Sequence, residues 1–246
     1  MKSTPATRNE PTEPKFCFEP EKINCSIVAI GKFNPAIFTP AWFSKHGIIS
    51  ERSEREAKPV VLQDELAQFG FENSVITVKQ SSFAIQTTSE PFLPIMEVFA
   101  ETFGRLLTHT PINKFGLNLG ANFLLPTWEH RQRMGRELAP VEPWGPLGLN
   151  ADSSDPKKVT GLARLIMQRN NISDRKLGFI QARVEPVSEP DPLRTVSVSV
   201  NDHFEIEDFH DEDGAREAVE FIAQHFEYSM NRSRHIINHM YKLGTQ

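Results

Sequence analysis

Five side chains near the C-terminus have types and spacing suited to chemistry. His225, Tyr228, Arg232, His235 and His239 recur at intervals of three, four, three and four, which places them on one stripe of a helix. His235 and His239, four apart, have the spacing of two imidazoles on one metal ion. The familiar metalloprotease helix also needs a glutamate directly after the first histidine, and Ile236 stands there instead. The plainer reading is a helix face that meets solvent or a partner, because Tyr and Arg are common interface anchors. The stripe is therefore expected at the surface or in an interface, with no bound metal.

A second group spans residues 202–213, where Asp202, His203, Glu205, Glu207, Asp208, His210 and Asp211 crowd together. Histidine and carboxylate at this density could form a metal site. However, acidic residues just before a helix are favoured by its dipole and by capping. On that reading Phe204, Ile206 and Phe209 pack inward and the acids face water.

The third group is a pattern. Phe115, Leu117, Leu119, Ala121, Phe123 and Leu125 alternate with Gly116, Asn118, Gly120 and Asn122, and only Leu124 breaks the sequence. Period-two alternation of this length predicts a strand with one buried face. The other face carries nothing larger than Asn until its end, so a ligand or another backbone can approach Gly116, Asn118, Gly120 and Asn122. A bend, a bulge or packing beneath a loop is the bland alternative, and the favoured one.

Other signatures are missing. The chain has no Walker loop, no dinucleotide-binding glycine fingerprint, no nucleophile elbow and no zinc-type cysteine pairing. No cofactor is implied, and the reading leans away from an enzyme. Cys17 and Cys25, with no signal peptide recognised, suggest a reducing cytoplasm rather than a disulfide scaffold. The net charge of -5 disfavours a dedicated nucleic-acid binder. No apolar run approaches the roughly 20 residues that span a bilayer. The 18 Phe against 2 Tyr and 3 Trp predict a Phe-rich core.

The elements that would position these residues follow from periodicity and punctuation. Residues 1–20, with Pro5, Pro11, Pro14 and Pro20, read as a disordered or loosely docked tail. A strand is predicted over 23–31. Thr39 caps a short helix with Pro40 in its first position and Gly47 as its stop. Residues 51–58 are charge-dense and solvated. Residues 75–88 read as strand, turning near Ser81 and Ser82. Ser89 is expected to cap a helix whose stripe is Phe92, Met96, Phe99, Phe103 and Leu106. Thr127 caps a polar helix to about Leu138. Residues 139–158, rich in Pro and breakers, form a connection between halves and expose Trp144 as a further partner contact. Residues 159–168 are ambiguous. Strands are predicted at 178–184 and 196–200, and a long helix from about Asp213 to Leu243 with the stripe Ala215, Val219, Ile222, Phe226, Met230, Ile237 and Met240.

Two strand-then-helix halves, 21–138 and 159–246, predict an α+β fold. Its antiparallel or mixed sheet has amphipathic helices on one face, and the halves together form one compact domain. The strand containing Gly116, Leu117 and Asn118, with Asn122 further on, resembles a family of uncharacterised bacterial proteins of sporadic distribution. That family has a Gly-Leu-Arg-Tyr-x-Asn type strand after a similar helix and ends in a long helix. Here Asn118 and Leu119 replace the family's Arg and Tyr. The resemblance covers residues 75–125 and loosely the last helix. It implies a mobile-element or phage-defence setting and no enzymatic activity.

The expected function is a non-catalytic binding or assembly subunit of a cytoplasmic multiprotein system. Its partner would be another protein, and a homo-oligomer is compatible with the sequence. The alternatives are a metal-dependent hydrolase using residues 202–213 with the last helix, and a chaperone-like peptide-binding module.

Overall fold

The computed structural model describes residues 15–58, 60–149, 161–170 and 172–246. Among them the strands form one nine-stranded sheet, ordered β2-β3-β4-β5-β1-β6-β9-β8-β7. The strands are β1 (Lys22–Gly31), β2 (Val60–Leu62), β3 (Leu66–Phe71), β4 (Ser74–Lys79), β5 (Ser82–Thr87), β6 (Ile112–Leu124), β7 (Leu165–Arg169), β8 (Gly178–Pro186) and β9 (Thr195–Glu205). Each neighbouring pair runs antiparallel. The fold is α+β, and both sequence halves contribute to the same sheet. The predicted connection is described only as far as Leu149. The acidic run at 152–155 lies outside the described residues, as do residues 1–14 of the predicted tail.

The helices are α1 (Pro40–Lys45), α2 (Glu51–Glu56), α3 (Leu93–Ala100), α4 (Trp128–Leu138), α5 (Pro146–Leu149) and α6 (Arg216–Thr245). Thr39 caps α1 as expected, its hydroxyl accepting from the Trp42 N–H, with Pro40 in the first turn. Ser89 does not cap α3. That helix begins three residues later than the punctuation suggested, behind Phe92 and without a side-chain cap, while the Ser89 N–H turns back to the Thr87 hydroxyl. Thr127 precedes α4, but its hydroxyl meets His130 Nδ1 at 3.0 Å instead of a backbone N–H. The apolar helix after residue 92 continues past Ala100 as a π-helical turn, Glu101–Leu106.

The core lies between one sheet face and the helices. Ile27, Phe83, Ile85, Leu117, Leu119, Val198 and Val200 point into it from the strands, and Phe99, Phe103, Ile222 and Ile237 meet them from α3, its π turn and α6. Phe33, Phe38, Phe43, Phe69, Phe83, Phe99 and Phe103 form one aromatic cluster with ring centroids 4.9 to 6.3 Å apart. This is the Phe-rich core that composition predicts. Residues 15–20, read as the end of a loose tail, are docked. Phe18 stacks on Tyr241 and meets Phe123 edge-on, and the Cys17 N–H donates to Asn238 Oδ1. Apolar burial outweighs the polar, Pro-rich composition that suggested looseness.

Candidate functional site

With α1, α2, α3 and α6 packed over one face, the alternate residues of β1, β6, β9, β8 and β7 form the opposite face. Strand register decides what lines up there. Ser26 lies opposite Asn118, Asn118 opposite Asn201, Asn201 opposite Gln181, and Gln181 opposite Gln168. Gln86 on β5 extends the row beyond Ser26. A row of neutral amides and hydroxyls thus crosses six adjacent strands. Asn118 Nδ2 donates to Ser26 Oγ at 3.2 Å, and Gln181 Nε2 donates to Gln168 Oε1 at 3.0 Å.

Asn201 Oδ1 is buried and has no hydrogen-bond partner among the described residues. It sits over Gly116, where an added Cβ would lie 2.9 Å from that oxygen. A side chain at Gly116 would have to displace the Asn201 amide. Gly120 has ordinary room, with Ser199 Cβ 3.5 Å from an ideal Cβ. Of the four positions read as open to a ligand or another backbone, Gly116 is already covered by Asn201, while Asn118, Gly120 and Asn122 are half-buried on the open face.

Charged groups flank this row. Lys114 Nζ lies 3.0 Å from Glu205 Oε2, and Glu205 Oε1 lies 3.3 Å from His203 Nε2. The Lys114 hydrogen bond holds the Glu205 carboxyl below its ordinary value. Burial pushes the His203 imidazole down, and its bond to Glu205 only partly opposes this. The His203 ring also stacks on Phe179, with centroids 4.5 Å apart. At the other end Glu185 accepts from Arg164 at 2.6 Å and lies 3.3 Å from Arg183. The side chains of the row itself do not ionise near neutral pH, so they can donate and accept hydrogen bonds but not exchange protons.

The stripe on α6 is divided by the structure. Tyr228, His235 and His239 are exposed. His225 is half-buried, stacked on Phe221 and close to Phe204, and desolvation pushes its imidazole down. Arg232 turns inward, its side chain 17% exposed. Its guanidinium bridges Asp174, at 2.9 Å, and Asp202, and Tyr228 lies over it. Trp144, 61% exposed, stands elsewhere, with Val141, Leu147, Leu162 and Leu165 around a cavity of about 570 Å³.

Asp202 explains why Arg232 turns in. It is fully buried, one position beyond Val196, Val198 and Val200 in the same inward alternation. Its Oδ2 accepts from the Ser229 hydroxyl at 2.6 Å. Its Oδ1 lies 2.7 Å from Arg175 Nη1, a charge contact without hydrogen-bond alignment, since that nitrogen donates to the His203 carbonyl. Arg175 also covers the Phe204 ring, 3.4 Å from its centroid. Desolvation raises the Asp174 carboxyl, but hydrogen bonds from Arg175 and Arg232 outweigh it and hold the group below its ordinary value. Two carboxylates and two guanidiniums thus balance beneath α6, in keeping with the need for buried charge to be paired.

Residues 202–213 are not gathered into one site. Asp202 faces the core and His203 the open face, while His210 is exposed and begins the turn before α6, its N–H donating to Asp213. Phe204 and Ile206 are buried, as the inward-packing reading expected. Among the described residues no group of three or more His, Cys, Asp or Glu side chains has a metal-holding arrangement. Cys25 is buried against Met230, and burial pushes its thiol up, which makes it a poor nucleophile.

Sequence reasoning missed Ser26, Asn201, Gln181 and Gln168 as one surface, and Asp202 as a core charge. The alternation through Val200 was a usable signal for Asp202. The row had no such signal, because it exists only once strand register is known. No protein-family model matches the chain, and no curated protein matches it with significance.

Proposed function

We propose that this protein is a non-catalytic binding or assembly subunit and that the open sheet face docks another protein. The observation that carries this reading is the uncharged row Asn118, Asn201, Gln181 and Gln168 across the uncovered face, continued by the buried Ser26 on β1. A sheet face adapted only to water needs no such row of amides, whereas amides that both donate and accept suit a polar protein surface. The open face is preferred to the α6 stripe because Arg232 and His225, two of that stripe's five groups, are engaged inside the molecule. A defence or mobile-element setting has as its support the resemblance at Gly116, Leu117, Asn118 and Asn122 alone.

The test begins with crosslinking in the native host and identification of the crosslinked protein. Binding is then measured with both components purified. Asn118→Arg should weaken binding at least about tenfold, the effect of burying an unpaired charge at an interface centre, while Tyr228→Ala leaves it unchanged. Equal binding by a folded Asn118→Arg protein, or loss on Tyr228→Ala alone, would move the docking surface elsewhere.

A further inference from the structure

The open face is complementary to itself. We propose that its occupant is a second copy of this chain, packed sheet to sheet about a two-fold axis that runs along the strands between β6 and β9. This rests on the docking-surface reading above and names its partner.

The argument is one of register. The proposed axis exchanges β6 with β9, β1 with β8, and β5 with β7, at constant height along the strands. In the central row, Asn118 then faces Asn201 of the copy, and Gln181 lies over the buried Ser26, so amides meet amides that can donate or accept in return. One step along the strands, Val28 faces Phe179, and His203 faces Gly116 where the Asn201 amide covers it. Two steps along, Lys114 faces Glu205. At the opposite end Lys22, level with Asn122 and Ser197, faces Glu185. Cation meets carboxylate at both ends; between them apolar Val28 meets Phe179 on one side of the central row, and Arg183 faces the Asn24 amide on the other. A two-fold axis repeats every one of these pairings, as an isologous interface requires.

Size is also sufficient. Five inter-strand steps of about 4.8 Å and some eight residues of about 3.3 Å outline roughly 600 Å² per copy, or ~1,200 Å² in all, the lower bound of specific interfaces. Aligned sheets pack in this manner, with the small angle that twist imposes.

Sedimentation velocity of the full chain between about 1 and 100 µM should show a monomer–dimer equilibrium. Lys22→Glu should weaken it at least about tenfold, since a like charge then faces Glu185. Glu185→Lys should do the same. An equimolar mixture of the two variants should dimerise again, because only the mixed pair sets opposite charges at both copies of this contact.

Glu185 also holds Arg164 and Arg183, so its variant loses two native ion pairs as well. A second measurement therefore uses unaltered protein. Carbodiimide treatment of a mixture of ¹⁴N and ¹⁵N chains should yield Lys22–Glu185 links of mixed isotope. Within one chain these residues are three strands apart, out of reach of a zero-length link.

A monomer at the highest concentration overturns the second copy. So does a dimer without mixed Lys22–Glu185 links. If Asn118→Arg still abolishes binding to a purified partner in that case, the docking-face reading survives and only the self-association falls. If Asn118→Arg changes neither dimer nor partner binding, both fall.

Discussion

The two faces of this sheet are built from the same strands and carry opposite side-chain chemistry. On the covered face, Leu117 and Leu119 of β6 meet Ile27 and Val200 of its neighbours, and α6 closes over them. On the open face, the residues between them are Gly116, Asn118 and Gly120, with Asn201 and Ser199 alongside. The covered face admits charge only where it is balanced, as at Asp202. The open face keeps one central row uncharged, with Arg183 one step from it and Lys114, Glu205, Lys22 and Glu185 at the ends. The covered face is specified by volume and by paired charge, whereas the open face is specified by small side chains and neutral polar groups.

The largest test of this contrast is Phe103→Ala. Phe103 is fully buried and meets Phe83 edge-on at 4.9 Å. Its truncation should cost about 3–5 kcal/mol in denaturant unfolding, whereas Asn118→Ala should cost no more than about 1 kcal/mol. Comparable losses would make the open face a second core.

Asp202→Ala comes next. It leaves Arg175 and Arg232 without their central carboxylate under α6, and breaking one side of a buried ion group costs about 3 kcal/mol. Charge reversal at Arg232 should likewise destabilise the fold, because its guanidinium is held between Asp174 and Asp202 and not at the surface where the stripe's spacing placed it. A thermal midpoint unmoved by Asp202→Ala would show that the network stabilises nothing.

The smallest effect concerns pH. His203 and His225 are both held below the ordinary imidazole value by burial. An unfolded histidine binds its proton first as pH falls, so the folded state is fully favoured above about pH 6.5 and loses stability as pH drops toward the folded values. NMR titration should place both rings below 6.5, and His225→Gln should flatten the acid side of the stability profile. Rings that titrate above 6.5 would reverse the sign.

The legible parts of this fold are those set by local pattern. Alternation along β6 and the stripes of α3 and α6 are visible in the chain, because each depends on residues two to four apart. Asp202 was misread because its own charge outweighed the alternation leading to it; its compensation comes from Arg175 and Arg232, which sequence distance hides. The amide row was illegible for a stronger reason. Ser26, Asn118, Asn201 and Gln181 share no local pattern, and a one-residue slip in any pairing would scatter them to opposite faces. Arg232 illustrates the limit of helical periodicity, which assigns an angle around the helix but not the direction in which a long side chain bends.

The position of β6 at the middle of the sheet also has a kinetic consequence. Its partner β1 is far upstream, with Ser26 and Asn118 separated by 92 residues, and β9 is far downstream. β2, β3, β4 and β5 can assemble as a local meander, and β8 and β9 as a hairpin. β6 must instead close two long loops, and such closures slow folding. During synthesis one flank of β6 waits for β9 to emerge, and until then the longest strand of the sheet exposes an unpaired edge. The interval before that seam closes is when this chain is most open to aggregation and has most use for a chaperone.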